Sequence, residues 1–147
     1  MTQPVLLTIV SRQRFLNEKP ETTKLVTEGS LTEKDGVLEL SYQETELTGL
    51  TGTTTSFRIE PKRVTLTRTG TLESQMIFEQ GCENRSLYDM GFGALMITVR
   101  AESIRSTMTA LGGKLSVRYA VAIEEETAGT IDYLIEARMR TTTEEAV

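Results

Sequence analysis

Between residues 63 and 140, apolar and polar residues alternate almost without a break, and the pattern restarts at short turns marked by Gly or Pro. A period of two is typical of β-strands that bury one face. The clearest example is residues 115–123, where Leu, Val, Tyr, Val and Ile occupy every second position. No segment shows the 3.6-residue period of an amphipathic helix, although residues 107–111 have room for one helical turn.

The same pattern, read along the whole chain, predicts about ten strands separated by turns. Asp35-Gly36 favours a hairpin turn because this dipeptide readily adopts positive φ angles. Residues 45–52, with two glycines, predict a longer loop, and residues 141–147 predict a frayed tail. The predicted strands lie near residues 5–14, 22–32, 37–44, 53–59, 64–68, 72–78, 85–88, 95–99 with an extension of unspecified length, 115–123 and 131–139.

This many antiparallel strands in a short chain must protect their edges, either by closing into a barrel or by stacking as two sheets. The short connections favour an all-β, antiparallel, up-and-down barrel of about eight to ten strands, with residues 1–147 forming a single domain. The interior of such a barrel is either filled by side chains or holds one small ligand.

Composition excludes several kinds of chemistry. The 147 residues include no histidine and one cysteine, Cys82, so a Ser-His-Asp triad, a Cys-His dyad and an intrachain disulfide are impossible within the chain. The net charge is −5 and the basic residues are scattered, which argues against binding to nucleic acid. The apolar segment at residues 5–10 is too short to span a bilayer. We therefore expect a cytoplasmic monomer or homodimer that uses no cofactor, metal or membrane.

Two charged residues fall in phase with apolar neighbours. Arg68 follows Val64 and Leu66 on one predicted strand face, so alternation directs it toward the barrel interior. A buried guanidinium must be paired, either with a ligand carboxylate or phosphate or with a group of the protein itself. Glu44, at a predicted strand end, is its natural partner, although that position equally permits solvent exposure.

The remaining candidate site residues are aromatic. Tyr42 and Tyr88 are predicted to join Glu44 and Arg68 in a polar cluster that orients a bound molecule. A second group of aromatic and methionine side chains either lines a cavity or simply fills the core. This second group consists of Met76, Phe78, Phe92, Met96, Tyr119 and Tyr133.

A series of short motifs follows in fixed order from residue 40 onward. They are Leu40-Ser41-Tyr42-x-Glu44, Arg68-x-Gly70, Met76-x-Phe78-x-x-Gly81, Tyr88, Met90-Gly91-Phe92-Gly93-x-Leu95, and Lys114-x-x-x-x-Tyr119. In these motifs the chain resembles the YwiB-like family of uncharacterised bacterial proteins. The resemblance implies a calycin-like (lipocalin-like) β-barrel, and the family offers no agreed catalytic residues that could be assigned to this chain. The chain has no tryptophan, and so lacks the Gly-x-Trp signature of secreted lipocalins.

Three classes of function are compatible with these features. The first is non-enzymatic binding of a small apolar or amphipathic ligand inside the barrel, and anionic ligands belong to this class. The second is a solid barrel that acts as a protein–protein interaction module through loops at residues 45–52 or 102–111. The third is an enzyme that works without histidine, for example with Glu44 as a general base.

Overall fold

The computed structural model describes residues 2–46, 50–89, 93–124 and 126–140, with the side chains of Tyr88 and Thr127 left out. These residues form ten β-strands, as the alternating pattern predicts. The strands are β1 (Thr2–Phe15), β2 (Glu21–Lys34), β3 (Val37–Gln43), β4 (Thr54–Glu60), β5 (Arg63–Thr69), β6 (Glu73–Phe78), β7 (Glu83–Asp89), β8 (Ala94–Ser106), β9 (Gly112–Ile123) and β10 (Glu126–Met139).

The strands close into an antiparallel up-and-down barrel. Each strand pairs with its neighbours in sequence, and β1 pairs with β10 to complete the ring. The predicted fold class is therefore confirmed. Residues 107–111, which have room for one helical turn, form a tight turn instead, in which Thr109 and Gly112 exchange backbone hydrogen bonds of 2.9 and 3.0 Å. Gly112 has a φ of 105°, a conformation that glycine adopts without steric cost.

The wall of the barrel is uneven. Val5–Phe15 of β1 pairs residue by residue with β10. By contrast, the described pairing between β6 and β7 consists of Glu73 with Asp89 and Ser74 with Tyr88. Beyond these two pairs, the chain after β6 crosses to β8, where Gly81 N–H donates to the carbonyl of Ala101 at 2.9 Å. The seam between β6 and β7 is thus the thinnest part of the wall.

One half of the interior is a close-packed apolar core, which we call the packed half. Strand register aligns its side chains in rows that cross β3, β4, β5 and β6. Fully burying one aliphatic or aromatic side chain contributes about 1.5–3 kcal/mol, so these rows supply much of the stabilising burial. The first row is Leu38, Ile59, Val64 and Phe78, and the second row is Leu40, Phe57, Leu66 and Met76.

The turns at the packed half are those after β2, β4, β6 and β8. Met108, from the connection after β8, is buried against the core there. The opposite half is bounded by the turns after β1, β3, β5, β7 and β9. No helix in the described ranges is long and apolar enough to cross a membrane.

Candidate functional site

The third row across the same four strands is polar. Each member lies two residues away from the second row, on the side opposite the first row, and the backbones pair in register. The members are Tyr42, Thr55, Arg68 and Ser74. All four residues are buried. Alternation alone directs them inward, since each is in phase with the apolar residues of the packed half. We call these four residues the polar row.

An ion pair between Arg68 and Glu44 lies at the centre of the polar row. The Arg68 Nε atom is 3.9 Å from Glu44 Oε2, and the two side chains are 11% and 2% exposed. The hydroxyl of Thr55 donates a hydrogen bond to the same carboxylate oxygen. Burying two charges is costly unless they are paired and hydrogen-bonded, and the ion pair together with the Thr55 hydrogen bond offsets part of that cost. The predicted pairing of Glu44 with Arg68 is therefore present.

Tyr42 completes the surroundings of the Glu44 carboxylate. Burial, followed by the negative charge of Glu44, raises the pKa of the Tyr42 phenol well above its ordinary value of 10.0. A hydrogen bond with Glu44 adds to the shift, while the positive charge of Arg68 opposes it. Tyr42 thus keeps its proton, which it can donate to the carboxylate.

Aromatic side chains connect this wall to the opposite side of the barrel. Arg68 Nη2 donates a hydrogen bond of 3.2 Å to the hydroxyl of Tyr133, on β10. The Tyr133 ring packs edge-on against Phe57 at a centroid distance of 6.0 Å and stacks with Tyr119 at 6.3 Å. Tyr119 in turn lies 4.5 Å from the ring of Phe78. These contacts fix the position of the Tyr133 hydroxyl above the packed half.

Above the polar row the interior is not filled. A cavity of about 460 Å³ lies there, bordered by Tyr42, Glu44 and Arg68. Tyr119 and Tyr133 line it from β9 and β10, and Glu21 lies at its exposed mouth. Its walls are mainly apolar. The apolar lining includes Ile9, Leu25, Met76, Ile97, Val121 and Ile131.

Three hydroxyl groups in this region have unused hydrogen-bonding capacity. Ser11 Oγ, Thr53 Oγ1 and Ser74 Oγ are buried and have no hydrogen-bond partner among the described residues. Ser11 borders the cavity and pairs in register with Tyr133. A buried hydroxyl without a partner costs about 1–3 kcal/mol, so such groups call for an explanation.

The structure brings together six of the residues that the sequence singles out. The cavity is lined by Tyr42, Glu44, Arg68, Met76, Tyr119 and Tyr133. Phe78 instead belongs to the packed half, where it is 1% exposed. The side chain of Tyr88 and the whole of Phe92 lie outside the described residues, so their predicted roles stay predictions.

Sequence analysis missed three polar residues of the site. Ser11, Thr55 and Ser74 carry the same signal as Arg68, namely a polar residue in phase with buried apolar neighbours. Short hydroxyl side chains are common in strands on either face, so this signal singles them out only when the register aligns them with Arg68. Tyr133 was among the residues expected either to line a cavity or to fill the core. Its hydrogen bond with Arg68 was not predicted.

Comparison with known proteins identifies the chain at the level of a family. Residues 7–135 match the family model described as Domain of unknown function (DUF1934). The chain belongs to the DUF1934 family. Among solved structures, this DUF1934 member is similar to the ywiB protein from Bacillus subtilis, whose crystal structure is known. The TM-score is 0.79 at 22% sequence identity, covering 95% of this chain and 94% of that one.

The match confirms the expected YwiB-like resemblance and the barrel fold. At this level of identity it extends to the fold alone. No curated protein matches the sequence of this DUF1934 member. The relationship to calycin-like barrels remains an expectation that rests on the sequence resemblance. No cluster of three or more acidic or cysteine side chains within the described ranges is arranged to hold a metal ion.

Proposed function

We propose that this protein binds a small apolar or amphipathic molecule in the cavity above the polar row, without enzymatic turnover. The observation that carries the proposal is the cavity itself, about 460 Å³ in volume. Small-molecule sites typically measure about 300–1,000 Å³ and combine apolar walls with a few placed polar groups. A barrel that served only as a solid scaffold would not need to leave this half unfilled.

The chemistry of the lining supports an amphipathic ligand. Aliphatic walls, such as Leu25 and Val121, surround a floor made by Arg68, Tyr42 and Tyr133. Apolar walls supply affinity through burial, whereas the few polar groups at the floor fix orientation. A molecule with one polar end directed toward the floor matches both surfaces.

The contacts of Glu44 favour binding over catalysis. A general base must be free to reach the proton of a substrate. Glu44 is 2% exposed and already receives a hydrogen bond from Thr55 beside the Arg68 guanidinium. This carboxylate is therefore better suited to hold the floor of the site in place than to abstract a proton.

Native mass spectrometry of protein purified gently from its own organism tests the proposal. We expect a discrete additional mass that is lost on denaturation. Ile131→Trp fills the cavity from β10 and should abolish the additional mass. Leu134→Trp is the matched control, since Leu134 lies on the same strand but is 45% exposed on the outer face. It should retain the ligand.

A bare polypeptide mass for the wild type and both variants would contradict the proposal. So would an additional mass that persists in Ile131→Trp. A stoichiometric complex with another protein, unaffected by Ile131→Trp, would instead support the interaction-module alternative through the loops.

A further inference from the structure

We infer that the inner end of the ligand is an uncharged group with a hydrogen-bond acceptor oxygen, such as an alcohol, ester or amide. This inference rests on the proposed function and narrows the ligand class. It excludes the carboxylate or phosphate that an interior arginine otherwise suggests.

The charges around the cavity argue against an anionic ligand. The positive charge of Arg68 lies 3.9 Å from the buried carboxylate of Glu44. Glu21 adds a second negative charge at the mouth of the cavity. The described lining thus carries two carboxylates for one guanidinium. A ligand anion would lose its hydration there without gaining an uncompensated positive charge, and that exchange is unfavourable.

The hydrogen-bonding groups at the floor favour an acceptor. The Tyr133 hydroxyl accepts the hydrogen bond from Arg68, so its own proton is left to donate. Ser11 Oγ, on the neighbouring strand β1, is buried without a partner and borders the same cavity. Because Ser11 and Tyr133 pair in register, their two hydroxyls offer donors from adjacent strands to one ligand atom.

A matched series of eight-carbon probes tests this inference. Octanol, octanoate and octane share a tail and differ in the head group. Their affinities are measured at neutral pH by displacement of Nile red, an uncharged dye that fluoresces in apolar sites. We expect wild-type protein to bind octanol about tenfold or more tightly than octanoate, because burying the second anion is costly.

The Glu44→Gln variant identifies the origin of that preference. The substitution removes the negative charge beside Arg68 and keeps the shape of the side chain. We expect the affinity for octanoate to rise about tenfold and that for octanol to change little, so that the preference disappears or reverses. A thermal melt of the variant checks that it remains folded.

The Ser11→Ala variant tests directly whether the ligand oxygen accepts a hydrogen bond from Ser11. This test does not depend on the ion pair. Loss of one neutral hydrogen bond should weaken octanol about fivefold, while octane, which cannot accept a hydrogen bond, binds as before. Glu44→Gln and Ser11→Ala therefore report on two separate parts of the inference.

The possible contrary outcomes are distinct. Tighter binding of octanoate than of octanol by the wild type would overturn the uncharged class. An octanol preference unchanged in Glu44→Gln, or equal weakening of octanol and octane in Ser11→Ala, would overturn the assigned roles of these residues. In all three cases ligand binding in the barrel would still stand. If Nile red failed to bind, or no probe displaced it, the proposed function would fail as well.

Discussion

The two halves of the barrel interior are built on the same strands yet have opposite chemistry. On β5, Leu66 is completely buried in the packed half, while Arg68, two residues further along, belongs to the polar row and borders a cavity. The neighbouring strands β3 and β4 change in the same way, from Leu40 to Tyr42 and from Phe57 to Thr55. All of these residues face inward.

The difference between the halves separates stability from recognition. The aliphatic and aromatic rows bury their side chains as a protein core does, and of their members Met76 borders the cavity. The polar row replaces that packing with an ion pair and hydrogen bonds, and the space above it is open to a ligand. We expect substitutions in the packed half to lower the free energy of unfolding through lost packing. Substitutions in the polar row should change that free energy, and ligand affinity, through the balance of buried charges.

The largest expected effect comes from the packed half. Leu66→Ala removes a fully buried side chain from the second row and should lower the free energy of unfolding by about 4 kcal/mol, since the close-packed neighbours cannot collapse into the space. Urea denaturation followed by circular dichroism measures the loss. Thr65→Ala, on the outer face of the same strand, is the control and should cost less than about 1 kcal/mol. A loss below about 1 kcal/mol in Leu66→Ala would mean that this half is not close-packed.

The polar row should behave as a coupled unit. Arg68→Met leaves the Glu44 carboxylate buried without its counter-charge, and should cost about 3 kcal/mol because the adjoining cavity relieves part of the penalty. Adding Glu44→Gln removes the stranded charge, so the double variant should recover to within about 1 kcal/mol of the wild type. Urea denaturation of the two single variants and the double variant gives the coupling energy.

An exposed ion pair that also involves an arginine of β5 supplies the control for this cycle. Arg63 Nε lies 3.8 Å from Glu79 Oε1, nearly the same distance, but the two side chains are 49% and 36% exposed. Its coupling energy should be below about 1 kcal/mol, as for other solvent-screened pairs. If losses in the Arg68–Glu44 cycle were simply additive, the two charges would not form a functional pair.

Local alternation was enough to predict the strands and the inward direction of Arg68, whereas it left Glu44 open between the interior and solvent. Side chains two residues apart on a strand share a face, so the phase of Val64, Leu66 and Arg68 can be read directly. The motifs from residue 40 onward indicated the family, and the resemblance to that family implied the barrel. These inferences succeeded because each depends on short stretches of chain.

The rest of the site depends on long-range register and on volume. Thr55 and Ser74 join Arg68 only because β4 and β6 pair with β5 at one particular register. The bond from Arg68 to Tyr133 joins residues 65 positions apart. Whether the interior leaves a cavity depends on the combined volume of side chains from every strand, which no local pattern encodes. Phe78 illustrates this, since its phase is right but its depth places it in the packed half.

The smallest expected effect is a difference between the halves in alkaline solution. Rows one and two contain no ionisable side chain, whereas Tyr42 in the polar row has a pKa raised by burial and by Glu44. Above its ordinary pKa of 10.0 the unfolded chain loses this proton and the folded chain keeps it. Stability therefore falls as the pH rises past that value, by up to about 1.4 kcal/mol per pH unit from this group.

Tyr42→Phe should remove this contribution. At neutral pH the variant should be less stable than the wild type by about 1.5 kcal/mol, because Glu44 loses a hydrogen bond. Since the phenylalanine variant lacks the titration at this position, the gap should narrow above the ordinary tyrosine pKa and close near pH 11. Urea denaturation at neutral pH and at about pH 11 measures both gaps, and other tyrosines and lysines affect both proteins alike. Parallel stability curves would show that Tyr42 titrates normally, and the polar row would then lack the buried, low-dielectric character assigned to it.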